Sequence, residues 1–100
     1  MMMRAVWNGV VLAESDDTVV VDGNRYFPAS ALRREYFTPS STKSLCPWKG
    51  IASYCSVTVN GATNADAAWT YRHPLPPARK LKNQIAFGND VEVIAFDRHP

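Results

Sequence analysis

Short apolar runs separated by paired turn residues set the rhythm of this chain. Residues 4–7 and 10–14 flank Asn8-Gly9, whose two members tolerate the positive φ of a type I′ turn, so this stretch predicts a β-hairpin. Ser15-Asp16-Asp17 turns the chain into residues 18–22, which are β-branched and strand-like. Gly23-Asn24 then turns it into Arg25-Tyr26-Phe27, and the first quarter reads as a β-meander. Pro28 opens a helical segment running through residues 31–35, with Ser30 as its cap. FTPSSTKS, residues 37–44, reads as a polar loop.

Residues 52–59 predict a strand, Asn60-Gly61 closes it, and residues 67–71 pair back as the next strand. Strand parity puts Cys55, Val57 and Val59 on one side as core, and Tyr54 on the other. It also puts Trp69 and Tyr71 on a shared face. HPLPP, residues 73–77, cannot be a central strand, because its prolines remove ladder donors. Residues 78–84 read as one or two helical turns and residues 90–96 alternate as a final strand. From about residue 97 the tail, with Arg98, His99 and Pro100, reads as frayed. The pattern predicts a mostly β fold with short helical segments. Its small antiparallel sheets would form one open, barrel-like domain over residues 1–100.

Composition narrows the function classes. One hundred residues suffice for one modest core, since a chain of this size buries roughly 60% or a little more of its unfolded surface. Hydrophobic residues at 46% and charged residues at 20% give an ordinary globular balance. The net charge of +2 gives no case for nucleic acid. Its distribution is uneven, with Glu14, Asp16, Asp17 and Asp22 early and Arg72, His73, Arg79, Lys80 and Lys82 late. The late group lacks the density and interleaved aromatics of a nucleic-acid surface. No apolar run approaches the roughly 18–20 residues of a bilayer span. MMMRAVWNG lacks the apolar region of a secretory signal, so the expected location is cytoplasmic, as a monomer or small homo-oligomer.

The chemistry-bearing residues concentrate around CPWKGIASY, residues 46–54. The soft metal ligands are Cys46, Cys55, His73 and His99, and their spacing lacks the paired knuckles of structural zinc, so no metal is expected. Nor is a Cys46–Cys55 disulfide expected in a reducing compartment. Cys46, with Lys49 near it and His73 brought up by strand pairing, is a weak candidate nucleophile with a proton partner. Lys49-Gly50 alone is no phosphate-cradling loop, and no cofactor is indicated. Trp48, Tyr54, Trp69 and Tyr71 either fill a small core or wall a ligand pocket by stacking and cation–π contact. Lys49, Ser53, Ser56, Thr70 and Arg72 stand beside them as polar groups suited to such a pocket.

CPWKGIASY together with AWTY at residues 68–71 resembles the family catalogued as domain of unknown function 427. RAVWNGVVLAESDDTVVVDGNRYFP is similar to that family's opening hairpins, and IAFGNDVEV to its close, so the resemblance covers nearly the whole chain. It implies a compact β-tent like that of methionine sulfoxide reductase B and of the ligand-binding domain of cereblon. Those relatives hold zinc with two CxxC pairs, which this chain lacks, so their metal and redox chemistry do not transfer. The aromatic cage of the cereblon type is the closer analogy, offered here by Trp48, Tyr54 and Trp69. Cys55 stands where another aromatic is expected, and Arg72-His73-Pro74 replaces an earlier proline. The family carries no assigned activity.

Three readings follow. The leading one is a binding module for a small molecule or peptide, with Trp48, Lys49, Tyr54, Trp69, Tyr71 and Arg72 around the ligand. The aromatics would stack and Lys49 or Arg72 would pair with an anionic or carbonyl group. The second is an enzyme using Cys46 with His73 or Lys49. The third is a structural or protein-interaction domain with its aromatics inside.

Overall fold

A computed structural model describes residues 1–96 of the chain. The strands are β1 Met2–Trp7, β2 Val10–Ser15, β3 Val19–Val21, β4 Asn24–Pro28, β5 Phe37–Cys46, β6 Gly50–Val59, β7 Ala62–Tyr71, β8 Gln84–Phe87 and β9 Glu92–Phe96. They form two antiparallel sheets, a three-stranded β2-β1-β9 and a six-stranded β3-β4-β8-β7-β6-β5. The sheets do not close into a barrel. This is the mostly β, open architecture that the apolar pattern implies.

The turns follow from residue type. Asn8 and Gly9 have φ of 51° and 75°, and Asn60 and Gly61 have 51° and 81°, the double positive φ of a type I′ hairpin. The turn after β3 sits one residue earlier than the sequence reading has it, on Asp22 (52°) and Gly23 (78°). Asp-Gly fills a type I′ turn as readily as Asn-Gly, because the short aspartate side chain tolerates the left-handed region.

Four other expectations are corrected. FTPSSTKS is part of β5, the strand at one edge of the large sheet, rather than a loop. An edge strand with most of its residues exposed needs no apolar alternation, and Pro39 is tolerated at an edge. The register shift between Pro39 and Lys43 marks where the pairing with β6 is interrupted. Residues 78–84 divide between a 3₁₀ segment, Pro76–Leu81, and the first residue of β8, a strand that the sequence reading missed. The predicted helix after Pro28 is two short 3₁₀ turns, Ala29–Ala31 and Arg34–Tyr36, and Ser30 caps neither of them. β7 also starts earlier than expected, at Ala62. The tail residues from 97 onward, with His99, lie outside the described residues.

The principal core lies between the sheets. Met3, Ala5, Leu12 and Ala13 of the small sheet pack with Phe27, Val57, Ala68, Ile85 and Phe87 of the large one. Phe27 and Phe87 meet edge-to-face at 5.6 Å, a favourable arrangement of two ring quadrupoles. Cys55 is half-buried and packs against this core, on the side that parity assigns to it.

Candidate functional site

Each strand of the large sheet sends alternate side chains to opposite faces, so β6 and β7 contribute to two environments at once. On one face, Tyr26, Ala52, Tyr71, Leu81 and Ala86 are buried together, with Cys46, Tyr54 and Trp69 packed around them. Several polar atoms there find partners, while Gln84 Oε1, on the side of Ala86 by alternation along β8, is buried without one among the described residues. Trp69 Nε1 donates to Tyr26 Oη at 3.4 Å, and Tyr54 Oη lies 3.0 Å from Ser44 Oγ. Trp48 Nε1 donates to Asp22 Oδ2 at 3.2 Å, and the same oxygen receives the Lys49 ammonium at 3.0 Å.

Lys49 is only 7% exposed. Its ammonium lies 5.4 Å from the Trp48 ring centre and 5.6 Å from that of Tyr71, within cation–π range. Burial alone would lower its pKa, but the hydrogen bond to Asp22, with Tyr26 and Tyr71 nearby, leaves it above the ordinary lysine range. Burial likewise pushes the Tyr71 phenol up, against the pull of the Lys49 charge. Gly50, at φ 107°, lets the following backbone approach: Leu75 N donates to Lys49 O at 3.0 Å, and any side chain at 50 would be strained. Gly88 backs the Trp69 ring so closely that an added Cβ would come within 3.1 Å of it.

The opposite face is covered over part of its area by the core shared with the small sheet and is open beyond it. A cleft of about 810 Å³ lies there, with Arg34, Cys55, Thr70, Arg72 and Lys82 among its walls and Trp69 at its border. None of its lining residues among the described residues is Asp or Glu. Arg34, Arg72 and Lys82 are exposed, and none of the three is in an ion pair among the described residues. Thr70 is buried at 8% exposure, and its Oγ1 has no hydrogen-bond partner among the described residues. Burial raises the Cys55 thiol pKa, with Arg72 and Lys43 pulling the other way, so this wall offers a neutral thiol rather than a thiolate nucleophile.

A second cleft of about 510 Å³ shares Arg72 and His73 with the first and continues past Ser53 and Lys43 to Leu45, Ile51 and Leu75. Lys43 Nζ donates to Ser53 Oγ at 3.1 Å, which holds the lysine stem along the sheet.

The residues singled out in the sequence are therefore divided between the faces. Lys49, Tyr54, Trp69 and Tyr71 gather on the aromatic face with Trp48 at its rim, while Arg72 stands on the other. Cys46 packs against the aromatic cluster, whereas His73 lines the clefts. Both cysteines are free. No group of three or more His, Cys, Asp or Glu that could hold a metal occurs among the described residues. Arg34 and Lys82 are absent from the sequence-derived site, and Thr70 enters it only as a neighbour. Parity along β7 is the signal that finds Thr70 and Arg72, since both alternate with Trp69 and Tyr71. No local signal links Arg34 to Lys82, which the tertiary fold brings into one cleft.

No helix among the described residues is long and apolar enough to cross a membrane. No curated protein matches the chain. The family described as Domain of unknown function (DUF427) matches residues 1–97, nearly the full length, and the chain belongs to that family.

Proposed function

We propose that the protein is a small-molecule-binding module whose ligand is a small anion seated in the Thr70 cleft. The observation that carries this reading is the orphaned Thr70 hydroxyl, beside a wall of cations with no acid lining it among the described residues. A buried hydroxyl without a partner costs about 1–3 kcal/mol, and a ligand atom that satisfies it recovers that cost on binding. Arg72 and Arg34 present planar, multi-donor guanidinium groups suited to a carboxylate or phosphate, and Lys82 adds a third positive charge. Leu32, Phe37 and Ile85 in the cleft wall offer an apolar surface to the rest of the molecule. Of the aromatic and basic residues picked out in the sequence, Arg72 is the one whose side chain serves this cleft, since the Trp69 ring packs on the other face. Lys49 already has Asp22 as its counter-ion.

The test is an amide-shift titration of the protein with acetate and with inorganic phosphate at low salt. Saturable shifts should centre on Thr70, Arg72, Arg34 and Lys82, and Arg72→Gln should weaken binding by roughly tenfold, the loss of one charge-assisted contact of about 1.5 kcal/mol. Shifts that never saturate, or that centre on Lys49 and Tyr71 instead, would sink the proposal.

A further inference from the structure

The two clefts lie end to end on one sheet face, and their chemistry changes along the way. Register on β5 and β6 aligns Pro39 with Cys55, Lys43 with Ser53, and Leu45 with Ile51. All six belong to one of the two clefts, as do Thr70 and Arg72 on the neighbouring strand or just past its end. The level of Thr70 is set by its pairing with Ser53. Ile51 lies two residues further along β6, about 7 Å at the rise of an extended strand. The Thr70 end is cationic. The far end is apolar: Leu45, Ile51 and Leu75 are 74%, 57% and 40% exposed and line the same cleft. Adjacent exposed aliphatic side chains beside a charged slot are what a binding groove requires, whereas single surface apolar residues need no explanation.

We infer that the ligand is an amphiphilic anion: its charged head sits at Thr70 and Arg72, and its alkyl arm runs along the sheet to Leu45, Ile51 and Leu75. This rests on the small-anion reading above and adds the second half of the molecule. Arg72 and His73, common to both clefts, mark where head passes into arm. Lys43 does not block the path, because its ammonium is drawn onto Ser53. A carboxylate and a phosphate head satisfy the same donors, so the two head groups are separate arms of the test.

The experiment compares acetate with octanoate, and inorganic phosphate with octyl phosphate, all below the concentrations at which the amphiphiles form micelles. Dissociation constants come from amide-shift titrations of the full chain. Affinity should rise by about twofold for each methylene that the open groove half buries, about half of the effect of complete burial. The double variant Leu45→Thr, Ile51→Thr keeps β-branched or strand-compatible residues at two exposed positions, and should flatten this chain-length dependence. Arg72→Gln should weaken short and long anions alike. If octanoate and octyl phosphate bind no more tightly than acetate and phosphate, the alkyl arm is refuted while the anion site stands. If no anion saturates at all, the anion reading itself falls. If the double variant leaves the chain-length dependence intact and instead dissociates a dimer in sedimentation, the apolar end is an interface between copies and the inference is overturned.

Discussion

Thr70 and Tyr71 are neighbours in β7, and their side chains leave the sheet into opposite surroundings. Tyr71 enters a packed cluster with Tyr26, Ala52 and Leu81, where an ion pair and several hydrogen bonds occupy the polar groups around it. Thr70 enters a cleft with its hydroxyl unpartnered and the cations around it unpaired among the described residues. Aromatic content alone would have assigned the binding role to the Tyr71 side. Charge and hydrogen bonding together reverse that choice: Gln84 Oε1 is also buried without a partner, but the Thr70 hydroxyl lies beside cations that have no ion pair among the described residues. A face whose charges are paired contributes to stability, whereas an orphaned donor beside unpaired cations is where stability has been given up and a ligand has something to restore.

The largest expected effect comes from emptying the closed face. Tyr26→Ala removes a fully buried ring and the partner of Trp69 Nε1. It should lower unfolding stability by about 3–5 kcal/mol, the range for large aromatic truncations, as read by urea denaturation. An effect below about 1 kcal/mol would mean that the cluster is loosely packed, and the contrast between the faces would fail. Next in size is Gly88→Ala, which forces a methyl against the Trp69 ring edge. Overpacking of this kind costs about 1–3 kcal/mol, and tryptophan emission should shift as the ring moves.

The smallest effect concerns alkaline pH and touches both faces. Burial raises the Cys55 and Tyr71 pKa values, while for Lys49 burial is outweighed by the Asp22 hydrogen bond together with the nearby Tyr26, Tyr71 and Asp22, and its pKa rises too. The folded state therefore holds these protons more tightly than the unfolded chain, and stability falls as pH rises. The decline should begin above about 8.5 with Cys55 and steepen above about 10 as Tyr71 and Lys49 join. Cys55→Ala should remove the first part of the decline and leave the second, as followed by thermal melts across that range. A variant that melts with the original pH profile would show that the thiol is not the group responsible.

Much of the architecture is legible in the sequence because it depends on local chemistry. Asn8-Gly9 and Asn60-Gly61 specify their turns, and alternation separates Tyr54 from Cys55 onto the faces where they are found. β5 is hidden because an exposed edge strand carries no apolar signature, and β8 because four residues after a proline-rich segment offer too short a pattern. The cleft is harder still. Arg34 opens a 3₁₀ turn, Arg72 lies just past the end of β7 and Lys82 precedes β8, and only the tertiary fold makes them neighbours in one cleft. Arg72 was recoverable in part: the parity that puts Trp69 and Tyr71 on one face puts Arg72 on the other, so it does not belong to the aromatic group with which its sequence position associates it.

The most direct test of the central claim is Thr70→Val, measured for both stability and anion affinity. With no partner to lose, the hydroxyl's removal should leave stability unchanged or raise it by about 1 kcal/mol, while the affinity for phosphate and acetate falls severalfold. A variant that loses stability by about 1 kcal/mol or more and binds anions as before would contradict the account, because Thr70 would then be a satisfied structural residue and the open face would hold no site.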